Sequence, residues 1–341
     1  MTFYRSAVSA NDFHNETRAF FDRKRVVVTG GGGFIGSHMT EQLLVLGARV
    51  TVLSRRGTSE FIRHIEASID SCICDLTDRQ QTREAMSRAE VVMHLAADVG
   101  GLEYNMAHPA TIFDSNMQIG MNVLDGAREN AVSRTFLCSS ACVYPRDCTV
   151  PTPESEGFKD EPEVSNSGYG WAKRMLELLG AKYAQQFGMA VAIARPYNAY
   201  GPRDNFASGS SHVIPALIAK AVQADGSNFP VWGDGSATRS FLFADDFARG
   251  LIEVAARFPG ADPLNIGTDE EISIKDLASK IADISYEMTG KRPVPVFDPT
   301  APSGQPRRNC DTSKTMQNLG FASRVGLDEG LRKTMQWYLN Q

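Results

Sequence analysis

Arg25-Val26-Val27-Val28-Thr29-Gly30-Gly31-Gly32-Gly33-Phe34-Ile35-Gly36 reads as a strand, a turn and the start of a helix. A β-branched run stops at four glycines, and Phe34 to Leu46 then carries apolar residues at helical spacing. That order opens a βαβ unit. The glycines fit two registers, G-x-x-G-x-x-G from Gly30 and G-x-G-x-x-G from Gly31. The physics is the same in both. Glycine allows the tight turn, lets a pyrophosphate reach backbone N–H groups, and lets helix pack on strand. The amino end of the helix then faces negative charge. Gly30, Gly33, Phe34, Ile35 and Gly36 are therefore candidate dinucleotide contacts.

Further strands are expected at Arg49 to Leu53, Ser71 to Cys74, Val91 to Leu95, Thr135 to Ser139 and Met189 to Ala194. Helical segments lie between them, notably Asn116 to Glu129 and Tyr169 to Phe187. Alternation of this kind predicts an α/β fold, a Rossmann doubly wound parallel sheet covered on both faces. The rhythm breaks after Arg195-Pro196. Residues 201–235 are rich in Gly, Pro, Ser and Asn, with a helix at Val213 to Gln223. Arg239 to Phe243 reads as a strand returning to the main sheet, and Asp245-Asp246 as caps of the helix that follows. Beyond 259 come short strands, helices near 273–289 and 328–339, and a Pro-rich loop at 293–306. The expected organisation is a polar N-terminal extension (1–20), then a Rossmann domain (21–195 plus about 236–258). A smaller discontinuous C-terminal substrate lobe (196–235 plus 259–341) closes over the cofactor.

Sites that prefer NAD place an acid about 20 residues beyond the glycines, on the ribose 2′-OH. Here that place reads Leu53-Ser54-Arg55-Arg56. It offers two guanidinium groups for a 2′-phosphate and no carboxylate, so NADP(H) is expected, with NAD as the alternative. Asp75 and Leu76 would line the adenine pocket, and Ala96, Ala97 and Pro196 lie at further strand ends facing the cofactor.

The bulk numbers exclude several classes. The chain of 341 residues has a formal net charge of −5, so it has no basic field for nucleic acid. No run approaches 18 apolar residues, the N-terminus lacks the order of a signal peptide, and no His/Cys grouping has metal spacing. Cysteines at 72, 74, 138, 142, 148 and 310 fit a reduced, cytoplasmic setting.

Tyr169-Gly170-Trp171-Ala172-Lys173 is Y-x-x-x-K, which puts phenol and ammonium one helical turn apart. A nearby lysine and the positive nicotinamide ring would lower a phenol pKa of ~10 towards neutrality. Upstream, at the end of a strand, stands Ser139-Ser140-Ala141-Cys142-Val143-Tyr144-Pro145. Counting back from Val143-Tyr144, Ser140 is the hydroxyl for the reacting oxygen. His38 and His94 read as structural.

From about residue 24 onward the chain resembles the extended short-chain dehydrogenases/reductases, closest to the GDP-L-fucose synthase and GDP-mannose 3,5-epimerase families. Ala96-Ala97-Asp98-Val99-Gly100-Gly101, Ser140-Ala141-Cys142-Val143-Tyr144-Pro145, Asn198-Ala199-Tyr200-Gly201-Pro202 and Trp232-Gly233-Asp234-Gly235 carry the likeness. It implies catalytic roles for Ser140, Cys142, Tyr169 and Lys173. It also implies a nucleotide-sugar site with Val99, Gly100, Gly101, Ala141, Asn198 and Trp232, in which Arg239 meets the diphosphate. Arg307-Arg308 are further diphosphate candidates, Arg308 above all. The two families part at Ser211-His212-Val213-Ile214-Pro215. Fucose synthases have this run, with the histidine as second acid/base, which maps to His212; the 3,5-epimerase has a lysine where Val213 stands. Thr238-Arg239-Ser240-Phe241 and Asn265 to Glu270 look more like the epimerase.

The leading expectation is 3,5-epimerisation and NADPH-dependent C4 reduction of a GDP-4-keto-6-deoxyhexose. The rival is an isomerase with no net redox change, and a different class is a non-catalytic NADP-binding scaffold. The family likeness also implies a homodimer built on helices at 116–131 and 169–187. Met117, Met121 and Leu124 are seam candidates there, or else they are buried against their own sheet.

Overall fold

Val26 and Val28 point to one side of a strand and Val27 to the other, and all three are almost wholly buried. Burial on both faces marks an interior strand of a covered sheet. Each such valine contributes roughly 1.5–3 kcal/mol. The computed structural model describes residues 4–100, 102–207, 211–301 and 305–341.

Along the chain, α1 (Asn15–Phe21) leads into β1 (Arg25–Thr29), α2 (Phe34–Val45), β2 (Arg49–Ser54), β3 (Asp70–Ile73), α3 (Arg79–Ala85) and β4 (Val91–His94). Then come α4 (Leu102–Ala107), α5 (Pro109–Glu129), β5 (Arg134–Cys138), α6 (Ser167–Phe187), β6 (Val191–Pro196) and β7 (Ala199–Tyr200). The chain continues through α7 (Val213–Gln223), β8 (Asn228–Trp232), β9 (Thr238–Ser240), β10 (Leu242–Phe243), α8 (Ala244–Arg257) and β11 (Leu264–Ile266). It ends with β12 (Glu271–Ser273), α9 (Ile274–Thr289), β13 (Val294–Asp298), β14 (Arg307–Arg308), α10 (Ser313–Leu319) and α11 (Leu327–Leu339).

Seven parallel strands form the main sheet in the order β11-β6-β5-β4-β1-β2-β3. The order reverses between β1 and β4, and the crevice outside their carboxyl ends is where such sheets bind ligands. Apolar residues of α1, α2 and α8 fill one face, and those of α3, α5 and α6 the other. A separate cluster holds together Ile218 of α7, Phe229 and Val231 of β8, Leu277 and Ile281 of α9, and Leu331 and Met335 of α11.

The structure differs from the sequence reading at several places. Arg239–Phe243 does not return to the main sheet: β9 pairs with β12 and β14, and β10 pairs with β7. The edge beside β6 goes to β11 instead, whose residues are fully buried. With β11, the residues Leu319 and Phe321 also join the main core, so part of 259–341 belongs to the body. Asp245 and Asp246 do not cap α8. They lie inside its first turn, where Asp245 takes His38 at 2.7 Å and Tyr4 at 2.7 Å, and Asp246 takes Arg249 and the N–H groups of Arg324 and Val325. Within 4–20, Phe13 enters the core and Thr17 bonds to Glu253 of α8, so this polar segment is docked on the body. Leu124 belongs to no seam between copies; it is fully buried in its own subunit with Leu137, Leu176, Val191 and Ile193, whereas Met121 is exposed. The Pro-rich stretch holds β13, paired with β8.

Candidate active site

The turn after β1 fits a dinucleotide because nothing larger than glycine fits there. Gly30 has φ +71°, and a Cβ on it would stand 3.0 Å from the Ala96 nitrogen. On Gly36 a Cβ would lie 2.0 Å from the Gly30 carbonyl oxygen, so α2 rests directly on the turn. Gly33 caps α2 without any side-chain hydrogen bond. The first-turn N–H groups of Phe34, Ile35 and Gly36 thus remain for an anion. Thr29 accepts from the N–H groups of Leu95 and Ala96 and contacts Nδ1 of His94 at 2.8 Å, which fixes the opposite wall beside Ala97. His94 is buried, its pKa pushed down to about 3 by desolvation and then by Lys173, so it is a neutral structural residue.

At the end of β2, the Ser54 hydroxyl accepts from the N–H of Arg56. Arg55 and Arg56 are exposed, and neither guanidinium makes a hydrogen bond or ion pair among the described residues. Asp75 is held below the usual carboxylate range by Thr77, with Arg55 adding to the effect, and Leu76 is buried beside it. Pro196 ends β6, buried.

Ser140, Cys142, Tyr169 and Lys173 come together beyond β5. The Ser140 hydroxyl accepts from the N–H of Cys142 at 3.1 Å, which turns the short helical bend that carries Ala141 and the thiol. Ser139 is instead committed to Glu177. Gly170 packs so tightly that a Cβ would lie 2.5 Å from the Cys142 carbonyl oxygen, and this brings α6 up to the bend. Lys173 donates to the Cys138 carbonyl at 2.8 Å, and its Nζ lies 5.4 Å from the centre of the Tyr169 ring. Burial pulls the Lys173 pKa down, while Cys138, Glu177 and Cys142 oppose that. Tyr169 departs from expectation. Its pKa is raised well above the ordinary value, first by burial and then by Cys142 and Cys138, with only the Ser140 hydroxyl opposing. In the chain by itself the phenol is a held proton, chiefly because burial penalises its charged form.

The parallel pairing of β9 and β14 sets Arg239 opposite Arg308. Arg239 donates only to its neighbour's carbonyl, and its pKa is lowered to about 10 by burial and then by Arg308. Arg308 reaches the cluster, with Nη2 3.7 Å from Cys142 Sγ. Burial alone would lower the Arg308 pKa, but Cys142, Tyr197 and Glu163 together raise it. Neither arginine has a carboxylate within ion-pair distance among the described residues. Arg307 points the other way and holds Glu271 with two contacts of 2.8 Å. Asn198, at φ +24°, already donates its amide to the Ser240 carbonyl at 2.8 Å.

His212 and Val213 lie at the start of α7 and Trp232 at the end of β8, and no hydrogen bond or ring contact joins them to the Cys142 cluster among the described residues. His212 precedes α7 with Nδ1 3.3 Å from Asp204. Trp232 is exposed under the ammonium of Lys220, 5.3 Å from the ring centre. Val99 is exposed, and Gly100 donates to Asn105; Gly101 lies outside the described residues.

Residues 26–267 match the NAD dependent epimerase/dehydratase family. The chain belongs to that family. It is 35% identical over 322 residues to probable GDP-L-fucose synthase 1 of Oryza sativa subsp. japonica, with 92% of each chain covered. It is 32% identical to GDP-mannose 3,5-epimerase 1 of Oryza sativa subsp. indica, covering 94% of this chain and 83% of that one. Among solved structures, GDP-L-fucose synthetase from Naegleria fowleri bound to NADP superposes with a TM-score of 0.80 at 28% identity, covering 93% of each chain.

Two residues of this epimerase/dehydratase site escaped the sequence reading. Asn116 of α5 accepts from the Asp98 N–H at 3.0 Å and donates to its carbonyl at 2.7 Å, which pins the loop that carries Val99 and Gly100. An amide on the inward stripe of an otherwise apolar helix was the available signal. Asp204 is the other, and its only signal was an acid eight residues ahead of His212.

Proposed function

We propose that this chain is an NADPH-dependent nucleotide-sugar epimerase/reductase that inverts C3 and C5 of a GDP-4-keto-6-deoxyhexose and reduces C4. The observation that carries the reading is the Cys142 thiol set against Tyr169 in one cluster. Hydride chemistry uses the Ser–Tyr–Lys set alone, whereas epimerisation also needs a group that takes a proton from carbon.

The C4 ketone acidifies the hydrogens on C3 and C5, and Ser140 and Tyr169 donate to the oxygen where the enolate charge collects. Cys142 serves one face of the ring and His212 the other. Asp204 raises the His212 pKa, so this ring keeps its proton to higher pH and suits the acid. Tyr169, held protonated by burial, supplies the proton to the C4 oxygen. When bound, the nicotinamide supplies the hydride for C4. Arg239 and Arg308 take the diphosphate, whose charge relieves their mutual repulsion. Arg55 and Arg56 take the cofactor 2′-phosphate.

We also propose a homodimer through α5 and α6. Phe113, Met121 and Leu178 stand exposed there, beside a pocket lined by Pro109, Phe113, Trp171 and Met175. Mass in solution at micromolar concentration tests this. The six free cysteines favour a reducing, cytoplasmic setting. No described helix is long and apolar enough to cross a membrane.

Incubation with GDP-4-keto-6-deoxymannose tests the reaction. One NADPH consumed per product supports the proposal. Turnover without NADPH loss replaces it with the redox-neutral epimerase, which the Thr238-Arg239-Ser240-Phe241 run favours.

A further inference from the structure

Asp204 is 5% exposed, and its Oδ2 has no hydrogen-bond partner among the described residues. Its Oδ1 accepts from the Asn205 N–H at 2.7 Å and faces Nδ1 of His212 at 3.3 Å. The His212 side chain is by contrast 64% exposed. A buried carboxylate therefore holds the inner nitrogen of a ring whose outer edge looks into open space.

The loop that carries this carboxylate is held in a conformation that a free chain avoids. Arg203 has φ +72°, in the left-handed region, which costs a non-glycine residue about 1–2 kcal/mol. Four contacts over-determine it. The Pro202 carbonyl faces Nε2 of His38 at 3.0 Å. The Arg203 guanidinium pairs with Glu41 and donates to the Tyr4 carbonyl. The Asp204 N–H closes the turn onto the Gly201 carbonyl at 3.3 Å. His38 and Glu41 both lie on α2, the helix whose amino end faces the dinucleotide site. Strain maintained by so many contacts is characteristic of a residue whose placement matters.

We infer that Asp204 is a positioning residue for proton transfer by His212, on a loop braced against the cofactor helix. The carboxylate accepts the Nδ1–H, fixes the ring orientation, and leaves Nε2 to exchange a proton with the sugar carbon, as second-partner carboxylates do for other histidines. In that step the Nε2–H bond breaks and its electron pair stays on nitrogen. The electron pair of the enolate forms the C–H bond, and the C4 oxygen returns to a carbonyl. Asp204 is the one charged group acting on His212 among the described residues. Its hydrogen bond raises the His212 pKa, burial opposes this, and the charge adds to the rise.

The inference rests on the reading of His212 as an acid/base, so its test does not use turnover alone. In the full chain with labelled histidine, the His212 NMR signal is assigned by its loss in His212→Gln. The wild type should show the Nδ1–H tautomer when neutral; the Nε2–H tautomer overturns the inference without any variant. Asp204→Asn and Asp204→Ser should both lower the His212 titration midpoint, and Asp204→Ser should also lose that tautomer, while NADPH affinity stays unchanged. An unchanged midpoint in either folded variant overturns it. Deuterium exchange at the sugar carbon served by His212 should fall about tenfold or more, with its basic limb moved to lower pH. If the wild type shows no exchange at C3 or C5, the proposed function fails, yet the tautomer still decides the Asp204 contact.

Discussion

Arg195 and Arg239 are both withdrawn from water, but on different terms. Arg195, in the body, is 2% exposed and meets Glu177 through two contacts of 2.9 and 2.7 Å, with the Tyr144 hydroxyl and the Glu154 carbonyl completing its shell. Buried Arg203 and Arg249 have Glu41 and Asp246 in the same way. Arg239, at the mouth of the site, has a second arginine beside it and no carboxylate. Arg195, Arg203 and Arg249 are neutralised inside the body, whereas Arg239 and Arg308 stand side by side with no carboxylate within ion-pair distance among the described residues. Under the proposed function, a bound diphosphate neutralises that pair.

Replacing the two arginines should therefore shift stability differently. Arg195→Met strands Glu177 as a buried, uncompensated charge and should destabilise the fold by about 3–5 kcal/mol in urea titrations. Arg239→Met removes a cation that the chain does not pair, so stability should hold or rise. Affinity for a nucleoside-diphosphate sugar should fall by about 2–3 kcal/mol, read by calorimetry. Equal destabilisation by both changes would break the comparison.

The cofactor end sharpens it. Arg55 and Arg56 are also unpaired, but exposed, so their contacts are worth less. Replacing both with Ala should weaken NADPH by about 1–3 kcal/mol and leave NADH unchanged. Equal losses for the two cofactors would remove the 2′-phosphate reading. The smallest effect belongs to Arg307, whose guanidinium is half-exposed and already holds Glu271. Arg307→Ala should change stability and sugar affinity by about 1 kcal/mol or less.

These contrasts also explain what was legible in the sequence. The glycine turn was readable because its demand is local: Gly30 and Gly36 are fixed by backbone that lies within a few residues or across one strand pair. Tyr169 and Lys173 were readable from helical spacing. Arg239 beside Arg308 was not, because the pairing of β9 with β14 spans nearly 70 residues and no local pattern encodes it. The opposite fates of Arg307 and Arg308 follow from strand alternation in β14, a strand that the sequence reading did not expect after the Pro-rich loop. The docking of residues 4–20 was not legible because their apolar residues are few and aperiodic, yet Phe13 enters the core. Tyr169 followed the same rule in its chemistry. The neighbouring lysine was visible in the sequence, whereas the burial that outweighs it was not.

The central claim is that one cluster holds two separable functions, proton transfer at carbon by Cys142 and proton supply at C4 by Tyr169. The most direct test compares Cys142→Ser with Tyr169→Phe, reading solvent-deuterium incorporation at C3 and C5 against hydride transfer to a supplied 4-keto sugar. Cys142→Ser should lower incorporation about 10²–10⁴-fold while reduction persists. Tyr169→Phe should block reduction while slower incorporation remains, slowed because a donor to the C4 oxygen is gone. A parallel fall of incorporation and reduction in Cys142→Ser would make the thiol structural and contradict the account.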